Sequence, residues 1–88
     1  MVSRVVTVVN PLGLHARAAA RFVRVASAYR SQIRVRRDGR TTDGKSILGL
    51  LLLAAARGTK LVVTAEGPDE TDAVAKLAEL AARGFEDP

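Results

Sequence analysis

The segment NPLGLHARAAA, residues 10–20, joins a strand to a helix through a turn that contains one proline and one glycine. Before it, the β-branched stretch at residues 2–9 predicts a strand. After it, the alanine-rich stretch predicts a helix over about residues 16–27, with its larger apolar side chains at helical spacing. His15, the only histidine, then occupies the cap of this helix. We therefore expect the fold to start with a β-α unit that places one imidazole at a helix N-terminus.

The charge in the first turn of this helix is opposite to the usual distribution. Unpaired backbone N–H groups and the helix dipole favour anions there, yet the sequence places Arg17 in this turn, at a cost of about 0.3–1 kcal/mol if exposed. The last predicted helix follows the usual rule, since it begins with Asp69 as the capping acid and carries Lys76 and Arg83 further along. The sequence supplies no anion that would balance His15 and Arg17, so we infer a visiting anion, most simply a phosphoryl group. Replacing Arg17 by alanine should then preserve or slightly raise stability.

Hydrophobic periodicity and turn residues predict the remaining elements. They are a strand in which Ile33 and Val35 alternate with arginines, a hairpin at Asp38-Gly39 into a short strand at residues 40–42, a helix at about 46–57 ended by Gly58, a strand containing Leu61 and Val63, and a helix that buries Ala73, Val74, Leu77 and Leu80. Because the strands have one polar face, we expect an antiparallel sheet covered by helices on one side. The sequence thus predicts an α+β fold, β-α-β-β-α-β-α, as one domain over residues 1–88.

The composition excludes several classes of protein. Without cysteine and with one histidine, neither a disulfide framework nor a zinc site is expected, and we expect no other metal or cofactor. No apolar stretch has the length of a membrane span and no secretory leader follows Met1, so we expect a cytoplasmic protein without membrane contact. The net charge of +5 favours acidic partners. Aromatic residues are only 3% of the chain, which argues against specific RNA recognition by base stacking.

Two separate motifs resemble the signatures of one known family. GLHARA at residues 13–18 resembles the active-site signature of HPr, the histidine phosphocarrier of the bacterial phosphotransferase system, and KSILGL at residues 45–50 resembles the second HPr signature, around a regulatory serine. The turns RGT at 57–59 and AEGPDE at 65–70 are also similar to this family. Many members have proline where this chain has Ala18, and alanine is also a good helix former at that position.

This resemblance implies an open-faced β-sandwich with strand order 1-4-2-3 and a specific chemistry. His15 would accept a phosphoryl group on Nδ1 from enzyme I and pass it to an enzyme IIA domain, in sugar uptake or in a nitrogen-type regulatory branch. Arg17 and the N–H groups of Ala16 and Arg17 would bind the phosphoryl oxygens. Such transfer depends on positioning and electrostatics. We therefore expect a phosphocarrier with a phosphohistidine intermediate, and not a stand-alone kinase.

The second predicted helix is more apolar than a one-sided surface helix requires, because every residue from 47 to 56 except Gly49 is apolar. The resemblance implies a protein-docking patch there, with a basic rim from the first helix. Its expected members are Ala20, Arg21, Arg24, Ile47, Leu48 and Leu51. The alternative is that a wider core uses the whole apolar stripe.

Ser46 has both a structural and a regulatory interpretation. A serine before Ile47 is a good N-cap, and Gly49 at the third helical position excludes a reciprocal capping box. The resemblance adds phosphorylation of Ser46 by an HPr kinase/phosphorylase, which would place negative charge beside the docking patch.

Two alternative functions are compatible with this fold or with a similar α/β sandwich. One is a non-catalytic regulatory relative that binds other proteins, and such relatives typically lack the histidine that this chain has. The other is a basic nucleic-acid-binding module, which the scarcity of aromatic residues disfavours. We expect a monomer whose partners are enzyme I, enzyme IIA domains and the kinase of Ser46.

Overall fold

The computed structural model describes residues 1–87, which form four strands, three α-helices and one short 3₁₀ turn. The elements in chain order are β1 (Val2–Thr7), α1 (Ala16–Ser27), β2 (Gln32–Arg37), β3 (Arg40–Asp43), α2 (Ile47–Leu52), β4 (Lys60–Glu66), α3 (Glu70–Ala82) and the 3₁₀ turn Gly84–Glu86. This order confirms the predicted fold.

The strands form one antiparallel sheet in the order β1-β4-β2-β3, which confirms the expected topology. β4 lies between β1 and β2, with Val63 opposite Arg4 on one side and Val35 on the other. The hairpin at Asp38-Gly39 joins β2 to β3, so that Arg37 pairs with Arg40. The alternation of apolar and polar residues leaves one sheet face for the helices and the other for solvent.

The core lies between the apolar sheet face and the three helices. The buried strand residues are Val6, Ile33, Val35, Leu61, Val63 and Ala65, joined by Val8 just after β1, and the helices contribute mainly Ala19, Phe22, Ala26, Leu50, Ala73, Val74, Leu77 and Leu80. The side chains that the sequence assigned to the core of the last helix are all buried. This core fixes the direction of α1, and therefore the place where its N-terminus meets solvent.

The predicted length of the second helix was wrong, because α2 ends at Leu52 and not near residue 57. Ala54 has a left-handed backbone, with φ of 50°, which stops the helix. Two arginines from the β2–β3 hairpin bind the carbonyls at this end: Arg37 Nη1 donates to Leu53 O (2.7 Å) and Ala54 O (3.0 Å), and Arg40 Nη1 donates to Leu52 O (2.8 Å). The cations that cap α2 thus come from another element.

The residues after α2 form backbone hydrogen bonds with other segments, which explains why they are not helical. Leu14 N–H donates to Ala55 O (2.9 Å), so this segment supports the turn before α1. Further along, Gly58 N–H donates to Val8 O (2.7 Å) and Val8 N–H donates to Thr59 O (2.9 Å). The two bonds of Val8 continue the pairing of β1 with β4 beyond Thr7. Together with the bond from Leu14, they tie residues 55–59 to the segment that carries His15.

Asp69 is the N-cap residue of α3, but its side chain makes no capping hydrogen bond, which corrects the predicted role. Its carboxylate instead accepts hydrogen bonds from the N–H of Arg30 and from the N–H and Oγ of Ser31. The hydrogen bond from the Ser31 side chain, followed by that from the Arg30 backbone, lowers the pKa of Asp69 to about 2. Asp69 therefore fastens the start of α3 to the turn before β2.

Candidate functional site

His15 lies where a tight turn enters α1. Within this turn, Gly13 N–H donates to Asn10 O (3.1 Å), and Asn10 Nδ2 donates back to Gly13 O (2.7 Å). Gly13 has φ of +70° and packs directly against the backbone of Ala55. The backbone of His15 is extended, and its side chain is the N-cap of α1. The predicted position of the imidazole is confirmed.

The two ring nitrogens of His15 have different neighbours. Nδ1 accepts a long hydrogen bond from the N–H of Arg17, at 3.4 Å, in the first turn of α1. Nε2 lies 2.7 Å from Oδ2 of Asp87. The His15 side chain is 26% exposed, so the ring is held by the protein yet open on one side to solvent.

The carboxylate of Asp87 is fully buried at the centre of this site. Besides His15, it accepts from Arg17, whose Nε and Nη2 each lie 2.8 Å from Oδ1, and from Asn10 Nδ2 at 3.3 Å. The hydrogen bond with His15, with those from Arg17 and Asn10, lowers the pKa of Asp87 to about 2 against the opposing effect of burial. Asp87 is therefore an anion at any neutral pH.

Asp87 overturns one inference from the sequence. We expected the anion that balances His15 and Arg17 to come from outside the chain, but the protein supplies one itself. The expectation that alanine at position 17 would preserve or raise stability loses its basis for the same reason. Removing Arg17 would take a charged donor from a buried carboxylate, which destabilises a protein.

The segment after α3 is shaped to bring Asp87 to the histidine. Gly84, Phe85 and Glu86 have consecutive positive φ angles of 63°, 57° and 57°, and Asp87 N–H donates to Gly84 O (3.0 Å). Phe85 is buried in the core. Arg21 Nη1 donates to the carbonyls of Phe85 (3.2 Å) and Glu86 (2.8 Å). Two left-handed residues that are not glycine indicate a conformation imposed by these contacts.

The side chains predicted to dock partners divide into exposed and partly buried groups. Ile47 and Leu48 of α2 are exposed, Leu48 by 67%, so neither belongs to the core. Leu51 is partly buried and packs against the core, which is the alternative that the sequence left open for it. Of the expected basic rim, Arg24 is exposed and Arg21 is partly buried, and Ala20 on the same helix is also partly buried.

An exposed leucine that no sequence pattern indicated lies beside the histidine. Leu12 is 64% exposed and lines an open depression together with Leu14, His15 and residues 54–56. Its only sequence signal was an apolar side chain between the proline and the glycine of a turn. Leu12 therefore places an apolar side chain in solvent next to the imidazole.

Ser46 caps α2 as predicted, since its Oγ accepts from Gly49 N–H at 3.0 Å. The residue is partly exposed. No acidic residue lies in the first turn of α2. A phosphate on Ser46 would therefore meet unpaired N–H groups without a neighbouring carboxylate in that turn.

Within residues 1–87, no cluster of three or more His, Asp or Glu side chains could hold a metal ion. No helix in the same part of the chain is long and apolar enough to cross a membrane.

Comparison with known proteins places this arrangement in a family. The family model described as "PTS HPr component phosphorylation site" matches residues 2–83. The phosphocarrier protein HPr of Cupriavidus necator is 42% identical over 85 residues, which are 97% of this chain and 96% of that protein. The phosphocarrier protein HPr of Pseudomonas aeruginosa is 47% identical over 83 residues, which are 93% of this chain and 92% of that protein.

A solved structure agrees with these sequence matches. The crystal structure of HPr-C-His from Thermoanaerobacter tengcongensis superposes with a TM-score of 0.95 at 38% identity, and the alignment covers 100% of this chain and 99% of that one. The fold, the helix-capping histidine and the match over nearly the whole chain therefore agree: the chain belongs to the HPr family of phosphocarrier proteins of the phosphotransferase system.

Proposed function

We propose that His15 of this protein accepts a phosphoryl group from phosphorylated enzyme I and passes it to an enzyme IIA domain. The observation that carries the proposal is the setting of the ring: Nδ1 faces the first turn of α1 beside the N–H of Arg17, and one side of the imidazole is open. A helix N-terminus attracts phosphate through its unpaired N–H groups and its dipole.

The proposed transfer needs few groups. The Nδ1 lone pair bonds to phosphorus while the donor's bond to phosphorus breaks and its electron pair stays with the donor. The backbone N–H groups of Ala16 and Arg17 and the guanidinium of Arg17, which is 55% exposed, then bind the phosphoryl oxygens. No proton has to leave the ring, so the step depends on positioning and electrostatics alone. This suits a carrier with a phosphohistidine intermediate and not a stand-alone kinase.

Partner binding is assigned to the exposed apolar side chains around the site. Ile47 and Leu48 form the apolar part of the proposed docking patch, with Ala20, Arg24 and the less exposed Leu51 at its margins. The cationic rim would attract acidic partner surfaces, and the net charge of +5 on the chain acts in the same direction. Arg21 is bound to carbonyls of the segment after α3, so its first role is to hold that segment.

Regulation at Ser46 is a second part of the proposal. Phosphorylation by an HPr kinase/phosphorylase would add nearly two negative charges at the start of α2, one residue before Ile47. The helix start tolerates that charge. The consequence falls on partners, because an acidic surface that binds the basic rim would be repelled.

The direct test uses phosphoenolpyruvate with a labelled phosphate, catalytic enzyme I and this protein. We expect acid-labile, base-stable label at one phosphate per chain, absent from His15→Ala, and its transfer to an added enzyme IIA domain. A sugar-type and a nitrogen-type enzyme IIA in separate reactions distinguish the two branches. Folded wild-type protein that takes up no label would refute the carrier function and favour the non-catalytic regulatory alternative.

A further inference from the structure

We propose that Asp87 is a positioning residue for this transfer: it holds His15 in the tautomer with the proton on Nε2, which leaves the Nδ1 lone pair free to bond phosphorus. The tautomer itself belongs to the resting protein. Only its consequence for transfer rests on the proposed function.

Both nitrogens of the ring point to the same tautomer. At Nε2 the neighbour is a carboxylate oxygen 2.7 Å away, which can only accept a hydrogen bond, so Nε2 must donate. At Nδ1 the neighbour is the N–H of Arg17, 3.4 Å away, which can only donate, so Nδ1 must accept. A proton on Nδ1 would face another N–H and leave Nε2 without a proton for the carboxylate.

The carboxylate is built to keep this orientation. Its second oxygen is bound by Nε and Nη2 of Arg17, and Asn10 Nδ2 donates to the oxygen that faces the ring. Full burial removes competing water. The segment that delivers Asp87 is anchored by the buried Phe85 and by Arg21. An oriented carboxylate on one nitrogen of an imidazole fixes which nitrogen is the reactive one.

The contact also acts during the transfer. When the Nδ1 lone pair forms the bond to phosphorus, the donor's bond to phosphorus breaks and its electron pair remains with the donor. The imidazole keeps its proton on Nε2 and so gains positive charge. Asp87, already ionised and in contact with that nitrogen, stabilises this charge as it develops.

A simpler interpretation is that Asp87 only forms an ion pair with Arg17 that fastens residues 83–87 to the domain. This interpretation predicts a loss of stability on mutation, but no defined tautomer of His15. The tautomer therefore separates the two roles.

The first measurement is a long-range ¹H–¹⁵N spectrum of the unphosphorylated wild-type protein, at a pH where the imidazole is neutral. We expect the shift of a protonated nitrogen at Nε2 and of an unprotonated one at Nδ1. This experiment needs no partner and no variant. A resting ring with its proton on Nδ1, or with both nitrogens averaged, would overturn the proposal.

Two variants of Asp87 then test its contribution. In Asp87→Asn the amide oxygen should stay on the charged Arg17, which turns the NH₂ group toward Nε2 and favours the proton on Nδ1. In Asp87→Ala both ring nitrogens should move toward averaged shifts. The maximal rate of His15 phosphorylation should fall about tenfold or more, and further in Asp87→Asn than in Asp87→Ala. The KM for enzyme I should stay near wild type, because the docking patch is untouched.

Glu86→Gln is the matched control, since it removes the neighbouring exposed carboxylate, which contacts Arg83 and not the histidine. It should leave both the ring spectrum and the rate unchanged. Asp87 variants that fold, lose stability and keep the wild-type ring spectrum and rate would reduce Asp87 to a structural ion pair. If enzyme I does not label the wild-type protein, the carrier function fails, while the ring spectrum still decides the role of Asp87.

Discussion

Replacing Gly13 by alanine should destabilise the protein at the turn that carries His15. The loss of unfolding free energy has two contributions, the positive φ of residue 13 and the clash of a Cβ atom with neighbouring backbone. Gly13 has φ of +70°, a conformation that costs an alanine about 1–2 kcal/mol. A Cβ atom there would lie 2.6 Å from Ala55 O and 3.0 Å from the Cα of Ala56. Both are backbone atoms, so overpacking adds about 1–3 kcal/mol. The sum is about 2–5 kcal/mol.

Two other glycines separate these contributions. Gly58 has φ of +92° but open space around its Cβ position, so Gly58→Ala should lose only the conformational part, about 1–2 kcal/mol. Gly39 has open space and no positive φ, so Gly39→Ala should stay within about 0.5 kcal/mol of wild type. The difference between Gly13→Ala and Gly58→Ala then measures the clash with residues 55 and 56.

Urea unfolding followed by circular dichroism measures the free energy of unfolding of all three variants, and thermal unfolding gives their Tm. A loss of at least about 2 kcal/mol should lower the Tm of Gly13→Ala by roughly 8 °C or more, given about 4–8 °C per kcal/mol for a domain of this size. The clash also pushes the turn away from residue 55, so phosphorylation of His15 should slow. Equal stability of Gly13→Ala and Gly58→Ala would refute the claim that this turn is pressed against the segment after α2.

Four further predictions concern single side chains. Leu48→Glu should keep the free energy of unfolding within about 0.5 kcal/mol of wild type and weaken binding to enzyme I in titration calorimetry. Leu50→Glu, at a fully buried position, should unfold the protein. Unfolding of both variants would place Leu48 in the core. Ser46→Asp should leave the Tm near wild type and raise the KM for enzyme I; an unchanged KM would leave Ser46 as a helix cap only. Because the folded pKa of Asp69 is about 2, below its ordinary 3.8, its stabilisation is present above about pH 4 and is lost as the pH falls toward 2. Asp69→Asn should therefore be less stable than wild type at pH 7 and lose less stability between pH 4 and pH 2 in urea unfolding; parallel pH profiles would contradict this. Arg17→Ala should lower the Tm, and it should lower the rate of transfer by at least about tenfold, or about 1.4 kcal/mol. A raised Tm would mean that the buried carboxylate of Asp87 does not need Arg17 for its stabilisation.

The sequence predicts those elements whose buried faces have a clear period. The alternation around Ile33 and Val35 and the helical spacing in α1 and α3 match the structure closely, because burial of one face determines both pattern and fold. The apolar run after Ser46 has no such period. It gives no signal for the end of α2, which is set by Ala54 in a left-handed conformation and by two arginines from a distant hairpin.

The sequence predicted two members of the candidate site, His15 and Arg17, but not the third, Asp87. Local rules find the helix-capping His15 and the unusual Arg17, because both follow from residues next to each other in the chain. Asp87 is 72 residues from His15 in the sequence. It contacts the ring because Phe85 and Glu86 adopt positive φ angles, which no sequence pattern predicts. The uncompensated cation was the correct signal. It indicated a missing anion, and only the folded structure identifies the carboxylate that fills part of that role.

The proposed phosphorylation of His15 on Nδ1 is decided by a long-range ¹H–¹⁵N spectrum of the protein phosphorylated by enzyme I and phosphoenolpyruvate. We expect coupling to phosphorus and a phosphorylation shift at Nδ1, with the proton retained on Nε2 opposite Asp87. A phosphoryl group on Nε2, or a fully phosphorylated protein whose His15 resonances do not change, would contradict it.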